Sequence, residues 1–231
     1  MHMITPKQRM LNAYRGIPAD RPPVAPELWT YYPARLLGVD MITFQREVPF
    51  HEALKNAFET VGCEGWGVAF CGPPSPDVQC RSSERWIDKD TLGIRTEFRT
   101  PHGSLFAGAR FDRHEPSWCT ERPVKDVQHD LAAWECLTFG GTPEETDATP
   151  LVQAWEATGE SFLLEAWVGV PFFDTWAGSR EGGFEAAIMD LYEPELRPTL
   201  ERLREVHTEH LVRMARMICR KTSVESLCIG C

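Results

Sequence analysis

Two groups of side chains suited to proton transfer and to binding a flat ring lie in or just beyond apolar segments of the sequence. The first group lies within and after the apolar segment 24–29, and the second lies within and after the apolar run 162–168. Trp66, at the start of a third apolar segment, is considered with them. A carboxyl group buried beside such a segment has a raised pKa, which suits it to acid–base catalysis. The predicted catalytic residues are Glu27, Glu165 and Asp174. The predicted substrate-binding residues are Trp29, Tyr31, Tyr32, Arg35, Trp66, Trp167 and Trp176.

Purely structural roles are the alternative for the same side chains. Glu27 can cap a helix or pair with Arg35, and Glu165 can pair with a basic neighbour, so that neither carboxyl is available for catalysis. The tryptophan and tyrosine side chains can belong to an ordinary hydrophobic core. The choice depends on whether the strands that carry Glu27 and Glu165 are neighbours.

Apolar segments with the composition of buried strands alternate with segments of helical periodicity. The predicted strands lie near residues 24, 66, 165 and 226. The predicted helices lie near 6–15, 50–61, 127–137, 144–158, 172–177, 184–192 and 193–220. This alternation is typical of a parallel sheet, and no glycine-rich phosphate-binding motif follows any of the strands. The sequence therefore predicts an α/β fold of the (β/α)₈ TIM-barrel type, whose active sites lie at the carboxyl ends of the strands.

The segment 85–111 has a different pattern. Ile94, Thr96 and Phe98 alternate with charged residues, and 100–103 has the composition of a turn. We expect an antiparallel β-hairpin here, inserted into the barrel and packed against it. Four or five strands cannot close an eight-stranded barrel, so we expect residues 1–231 to form one incomplete barrel domain, about its first two thirds.

The cysteine and histidine residues are not expected to form a metal site. Eight cysteines are spread over 231 residues, unlike the crowded cysteines of a small disulfide scaffold. Cys228 and Cys231 have CxxC spacing, but no second CxxC exists, and we interpret them as thiols on an apolar strand. His207 and His210 do not form an HExxH motif and are predicted to face the packed side of the long helix.

Charge and hydropathy exclude several classes of partner. The chain has 34 acidic and 24 basic residues, and its net charge of −10 disfavours binding to nucleic acid or to an anionic membrane. No apolar run reaches the ~18–20 residues that span a bilayer, and the amino terminus has no secretory signal. We expect a cytoplasmic protein whose partners include a small-molecule substrate and, as one option, a second copy of the chain.

Four segments resemble the uroporphyrinogen decarboxylase superfamily. In the opening segment, a helix and a glycine are followed by Asp20-Arg-Pro-Pro-Val, as at the start of that family, and Gly169-Val-Pro-Phe resembles its Gly-x-Pro-Phe segment. Segments 99–105 and 123–130 look like the methyltransferase-like branch more than the haem-pathway decarboxylases. The resemblance covers essentially the whole chain. It implies a barrel with one extra hairpin, acting on a tetrapyrrole, corrinoid-linked or other small methylated substrate.

The sequence departs from this family at the residues that the decarboxylases use. Their Arg-Gln-Ala-Gly-Arg segment is replaced by Glu27-Leu-Trp-Thr-Tyr-Tyr, and their strand-two aspartate has no counterpart in 67–71. Their tyrosine after Gly-x-Pro-Phe is also missing. Arginine binds carboxylates through paired hydrogen bonds, so the missing arginines predict negligible decarboxylation of uroporphyrinogen III.

The methyltransferase branch takes zinc through a His-x-Cys pair and a later cysteine, at positions that would lie beyond Cys231. We therefore expect no cofactor within this chain, and zinc only if ligands lie beyond Cys231. Three functions remain open from the sequence: an enzyme of this family, a zinc- and corrinoid-dependent methyltransferase, and a non-catalytic barrel that binds a ligand or a corrinoid protein.

Overall fold

A computed structural model describes residues 4–230, which form a mixed α/β fold with two separate sheets. The helices are α1 (Pro6–Tyr14), α2 (Tyr31–Leu37), α3 (Met41–Glu47), α4 (Phe50–Val61), α5 (Val127–Phe139), α6 (Thr149–Thr158), α7 (Phe172–Ser179), α8 (Gly183–Tyr192) and α9 (Arg197–Lys221). The strands are β1 (Trp66–Ala69), β2 (Gln79–Trp86), β3 (Thr91–Thr100), β4 (Gly103–Asp112), β5 (Trp118–Glu121), β6 (Leu163–Gly169) and β7 (Ser226–Ile229).

The parallel sheet has the strand order β1-β6-β7, with β6 in the centre. On one face, Leu164, Ala166 and Val168 pack against side chains of α4, α6 and α9. On the other face, Leu163 contacts Met10 of α1 and its neighbours. Both faces of β6 are buried, as its apolar composition predicts for a central parallel strand.

Local sequence signals explain where several helices begin and end. The Thr5 hydroxyl accepts a hydrogen bond from the Gln8 backbone N–H (3.1 Å), and Pro6 occupies the first turn, so α1 begins as predicted. Gly62, with φ +72°, ends α4 in a left-handed conformation that other residues rarely adopt. The last helix begins at Arg197, not at 193, with a proline in its first turn.

The antiparallel sheet is larger than the predicted hairpin. Strands β3 and β4 form that hairpin around the turn at 100–103, but β2 and β5 flank them in the order β2-β3-β4-β5. Leu105 and Phe98 attach the sheet to a core shared with α5, α7, α8 and α9. The prediction of a hairpin at 85–111 is therefore correct for its centre and wrong in extent, because the sheet runs from 79 to 121.

The segment 24–29 is not a strand, which corrects the sequence interpretation. It runs beside β1, since the Val24 N–H donates to Glu64 and the Trp29 ring contacts Trp66, but it is not hydrogen-bonded into the sheet. Pro26 in its middle has no N–H to donate, and Pro22 and Pro23 precede it. Prolines at these positions prevent regular pairing with a neighbouring strand.

Neither sheet is closed within the described residues. The parallel sheet contains three of the four predicted strands, and the barrel therefore remains a prediction. Among residues 4–230, no helix is long and apolar enough to cross a membrane.

Candidate active site

Glu165 is the buried carboxyl at the centre of the parallel sheet. It lies in the middle of β6, only 7% of the residue is exposed, and it is aligned with Ser226 on β7. The Ser226 hydroxyl donates a hydrogen bond of 2.6 Å to Glu165 Oε1. Burial raises the pKa of Glu165, and the hydrogen bond from Ser226 only partly offsets it. Within the described chain it forms no ion pair, so the alternative of a basic partner is wrong.

Tyr14 and Cys228 complete the polar surroundings of this carboxyl. Burial raises the pKa of the Tyr14 phenol first, and the nearby groups of Glu165 and Cys228 raise it further. Tyr14 lies at the end of α1 and remains 58% exposed, whereas Glu165 is 7% exposed. The phenol is therefore the solvent-facing polar group near this buried carboxyl.

Aromatic rings lie at the carboxyl ends of the strands, beyond Glu165. Trp167, two residues after Glu165 and on the same face of β6, contacts Phe70 with 5.6 Å between ring centroids. Gly230, just after β7, lies so close to the Trp167 ring that a Cβ there would be 2.2 Å from it. Phe70 is 61% exposed, which leaves an open aromatic surface beside the carboxyl.

Trp29 and Trp66 form a second aromatic group against α4. The Trp29 ring stacks on Phe50 at 5.5 Å and meets the edge of Trp66 at 5.1 Å. Edge-to-face and stacked rings of this kind stabilise a core. Trp66 is aligned with Leu163 at the start of the strands, whereas Trp167 lies near their carboxyl ends.

Glu27 and the predicted residues of α2 are at the surface. Glu27, Tyr31, Tyr32 and Arg35 are all exposed. The Tyr31 hydroxyl donates to Glu115, whereas the side chains of Glu27 and Arg35 form no hydrogen bond or ion pair within residues 4–230. Glu27 therefore neither pairs with Arg35 nor meets Glu165, and the expected pair of carboxyls is absent from the described structure.

Asp174 and Trp176 lie on α7, away from the Glu165 carboxyl. Trp176 is fully buried, its indole N–H donates to Asp190 at 3.0 Å, and its ring meets Trp134 edge to face. This tryptophan is a core residue, so its prediction as a substrate contact is not supported by its position. Asp174 is half-buried in the first turn of α7, where a carboxylate interacts favourably with the helix dipole.

A second buried carboxyl, Glu64, has a different environment just before β1. Arg9 and Arg21 both donate to it, at 2.5 Å and at 2.6 and 2.8 Å, and the Val24 N–H donates at 2.8 Å. Burial alone would raise the pKa of Glu64, but these donors lower it to about 2. Arg9 also holds Asp20 through two hydrogen bonds of 2.8 Å, so the network fixes the Asp20-Arg21 turn.

The two histidines lie on the packed side of α9, as predicted. His207 Nε2 is 2.7 Å from the Val170 carbonyl, and since only the nitrogen can donate, it carries the proton. Among residues 4–230, no three His, Cys, Asp or Glu side chains are arranged to hold a metal ion. Cys228 lies on β7 as predicted, and Cys231 lies outside the described residues.

The sequence analysis missed Tyr14 and Ser226 as parts of this site, and it missed the Glu64 network. Ser226 meets Glu165 only through the register of β7, which no local pattern encodes. The pattern Ser-Leu-Cys-Ile alternates, and this does indicate that Ser226 and Cys228 share a face. Glu64, between a predicted helix and a predicted strand, had no distinguishing signal.

Comparison of the chain with protein-family models, with curated proteins and with solved structures finds no match.

Proposed function

We propose that this chain is an enzyme that binds a small, flat substrate beside Trp167 and Phe70 and uses Glu165 as a proton donor. The observation that carries the proposal is the buried Glu165 carboxyl, whose pKa is raised by burial and which accepts, among the described residues, a hydrogen bond from the Ser226 hydroxyl alone. A carboxyl with a raised pKa keeps its proton closer to neutral pH and can deliver it to a reacting carbon or leaving group.

The position of the site supports a barrel-type enzyme. Trp167, Phe70 and Gly230 lie at the carboxyl ends of the three parallel strands, where barrel enzymes bind their substrates. Helices cover the opposite face of the sheet, as they cover the outside of a (β/α)₈ barrel. We therefore propose that the parallel sheet is part of such a barrel and that the Glu165 face is its interior.

The substrate class rests on the resemblance to the uroporphyrinogen decarboxylase superfamily. A tetrapyrrole, corrinoid-linked or other small methylated substrate presents a flat or apolar surface that can stack on the exposed Phe70 and Trp167 rings. In this scheme Trp167 and Phe70 bind the ring, Ser226 orients the Glu165 carboxyl, and Glu165 gives up its proton and becomes a carboxylate. Zinc-dependent methyl transfer would need ligands other than those of residues 4–230.

Equilibrium dialysis against uroporphyrin III and hydroxocobalamin tests the binding step, with the bound ligand read from its own absorbance. We expect saturable binding of at least one ligand, weakened about tenfold or more by Trp167→Leu. Trp118→Leu is the matched control, because Trp118 is a partly exposed tryptophan on β5 of the other sheet. Absence of binding to both ligands, or equal losses in the two variants, would contradict the proposal.

Incubation with uroporphyrinogen III tests the reaction. We expect negligible decarboxylation, because the family's carboxylate-binding arginines are not matched. A substrate that is turned over should lose its turnover in Glu165→Gln while keeping its affinity, since glutamine preserves the shape of the side chain but has no acidic proton. Equal turnover by wild type and Glu165→Gln would contradict the proposed role of Glu165 as the proton donor.

A further inference from the structure

The antiparallel sheet is neutral in an otherwise acidic chain. Segment 79–121 contains seven Lys and Arg residues and seven Asp and Glu residues, so the whole net charge of −10 lies in the rest of the chain. This sheet packs against the core through its other face, by way of Leu105 and Phe98. The face that bears the arginines is therefore open to solvent.

Arg85, Gly93 and Arg110 form one row across β2, β3 and β4. Each is directly opposite the next in the register of the sheet, so the three share one face. Gly93 has no side chain, so between the two arginines only the end of the Ile87 side chain lies close to its backbone. The Cα atoms of the two arginines are roughly 10 Å apart across two strand spacings. This row lines a groove of about 510 Å³.

The guanidinium groups of Arg85 and Arg110 have no hydrogen-bond or ion-pair partner within residues 4–230. Both side chains are exposed. Asp88 lies close enough to Arg110 for that guanidinium to contribute to its lowered pKa, but the Asp88 carboxylate accepts the backbone N–H groups of Asp90 and Thr91. Their ten N–H donors are thus available to a ligand.

The acidic residue of the groove, Glu121, is already neutralised. Arg95 Nε and a terminal nitrogen of its guanidinium donate to Glu121 at 2.7 and 3.0 Å, and Lys125 lies 2.8 Å from the same carboxylate. Hydrogen bonds from Arg95, against the opposing effect of burial, lower the pKa of Glu121 to about 2. Arg95 also lies over the Phe106 ring at 4.1 Å, which fixes it as a wall of the groove.

We propose that Arg85 and Arg110 bind a ligand that carries two neighbouring oxyanion groups, a diphosphate or a dicarboxylate, over the backbone of Gly93. Each guanidinium presents paired donors that match one phosphate or carboxylate group. Because the two arginines stand on opposite sides of Gly93, each guanidinium can bind one of the two oxyanion groups of the ligand. Because Glu121 is neutralised, Arg85, Arg95, Arg110 and Lys125 leave the groove with a net positive charge. The site is separate from Glu165 and does not depend on the function proposed for it.

Calorimetric titration with pyrophosphate and with citrate, at low salt, tests the site. We expect saturable binding of one of them, weakened about tenfold or more by the double substitution Arg85→Gln/Arg110→Gln. Binding of pyrophosphate identifies a phosphate ligand, and binding of citrate alone identifies a carboxylate ligand. The matched control is Arg15→Gln/Arg216→Gln, which removes the same charge from two exposed arginines without partners among the described residues.

A third variant, Gly93→Val, keeps both charges but fills the floor of the groove. Gly93 does not have a left-handed φ, and the new Cβ meets only the flexible end of Ile87 closely, at 3.2 Å. We therefore expect the strand to accept valine after a small shift of the Ile87 side chain. We expect it also to weaken binding. No binding of either anion to the wild type, equal losses in the control, or full affinity in Gly93→Val would overturn the proposal.

Discussion

Glu64 and Glu165 are both buried glutamates next to parallel strands, yet their pKa values shift in opposite directions. Two arginines and a backbone N–H donate to Glu64, whereas within residues 4–230 Glu165 has a single neutral donor, Ser226. The donors lower the pKa of Glu64 to about 2, and burial raises the pKa of Glu165. Burial alone therefore does not define a catalytic carboxyl. The hydrogen-bonding partners set the direction of the shift, which is why we assign Glu64 to anchoring the fold and propose Glu165 as the proton donor.

Glu64→Gln should have the largest effect on stability. It leaves the buried Arg9 guanidinium without its closest carboxylate, and loss of one partner from a buried ion pair costs about 3–5 kcal/mol. Urea unfolding followed by circular dichroism measures the change in the free energy of unfolding. Glu156→Gln, at an exposed glutamate without partners among the described residues, is the control, with a change of about 0.5 kcal/mol or less.

Acid unfolding should depend on Glu64 as well. Its pKa is about 2 in the folded state and 4.5 in the unfolded state, so it stabilises the fold above pH 4.5 and this contribution is lost as the pH falls toward 2. The full contribution is about 3 kcal/mol. Unfolding free energies measured between pH 5 and pH 2 should fall less steeply in Glu64→Gln than in wild type. If the free energies of unfolding of wild type and Glu64→Gln fell in parallel with pH, the two arginines would not be lowering the pKa of Glu64.

Ser226→Ala should have a moderate effect centred on Glu165. It removes the Ser226 hydrogen bond to a buried carboxyl and should cost about 1 kcal/mol. Because that bond opposes the effect of burial, its loss should raise the pKa of Glu165 further. A pH titration of the Glu165 carboxyl in the variant measures this shift, and a downward shift would be inconsistent with Ser226 as donor to the carboxylate.

Glu165→Gln should have the smallest effect on stability, about 1 kcal/mol or less, since no ion pair is broken and glutamine still offers an acceptor oxygen to Ser226. The raised pKa of Glu165 contributes stability below pH 4.5 that is lost as the pH rises through its folded-state value. The variant should therefore gain stability relative to wild type as the pH rises. If Glu165→Gln lowered the free energy of unfolding as much as Glu64→Gln does, the proposed difference between the two carboxyls would be wrong.

The sequence predicts those elements whose local pattern and burial agree. The helix α4 has apolar residues at helical spacing and a terminal Gly62, and β6 is apolar on both faces, so both were predicted correctly. Strand β2 was missed because all eight of its residues are exposed and polar side chains predominate, leaving no alternation to detect. It is a strand because its backbone pairs with β3, which is a tertiary effect.

The candidate site shows the same limit. Glu165 and Trp167 were predicted because they interrupt or end an apolar run, but their neighbours Ser226 and Tyr14 depend on strand register and on the packing of α1. Glu27 was predicted from a strand that its prolines prevent, and it lies at the surface. Trp176 was chosen for its position after β6, although its ring is in the core.

The central claim is that Glu165 keeps its proton to a higher pH than an ordinary carboxyl. The direct test is a pH titration of carboxyl ¹³C chemical shifts in protein labelled at glutamate, with the Glu165 signal assigned by its absence in Glu165→Gln. We predict that Glu165 titrates clearly above 4.5 while Glu64, assigned in the same way, titrates near 2. A Glu165 signal that titrates at or below 4.5 would contradict its assignment as the proton donor.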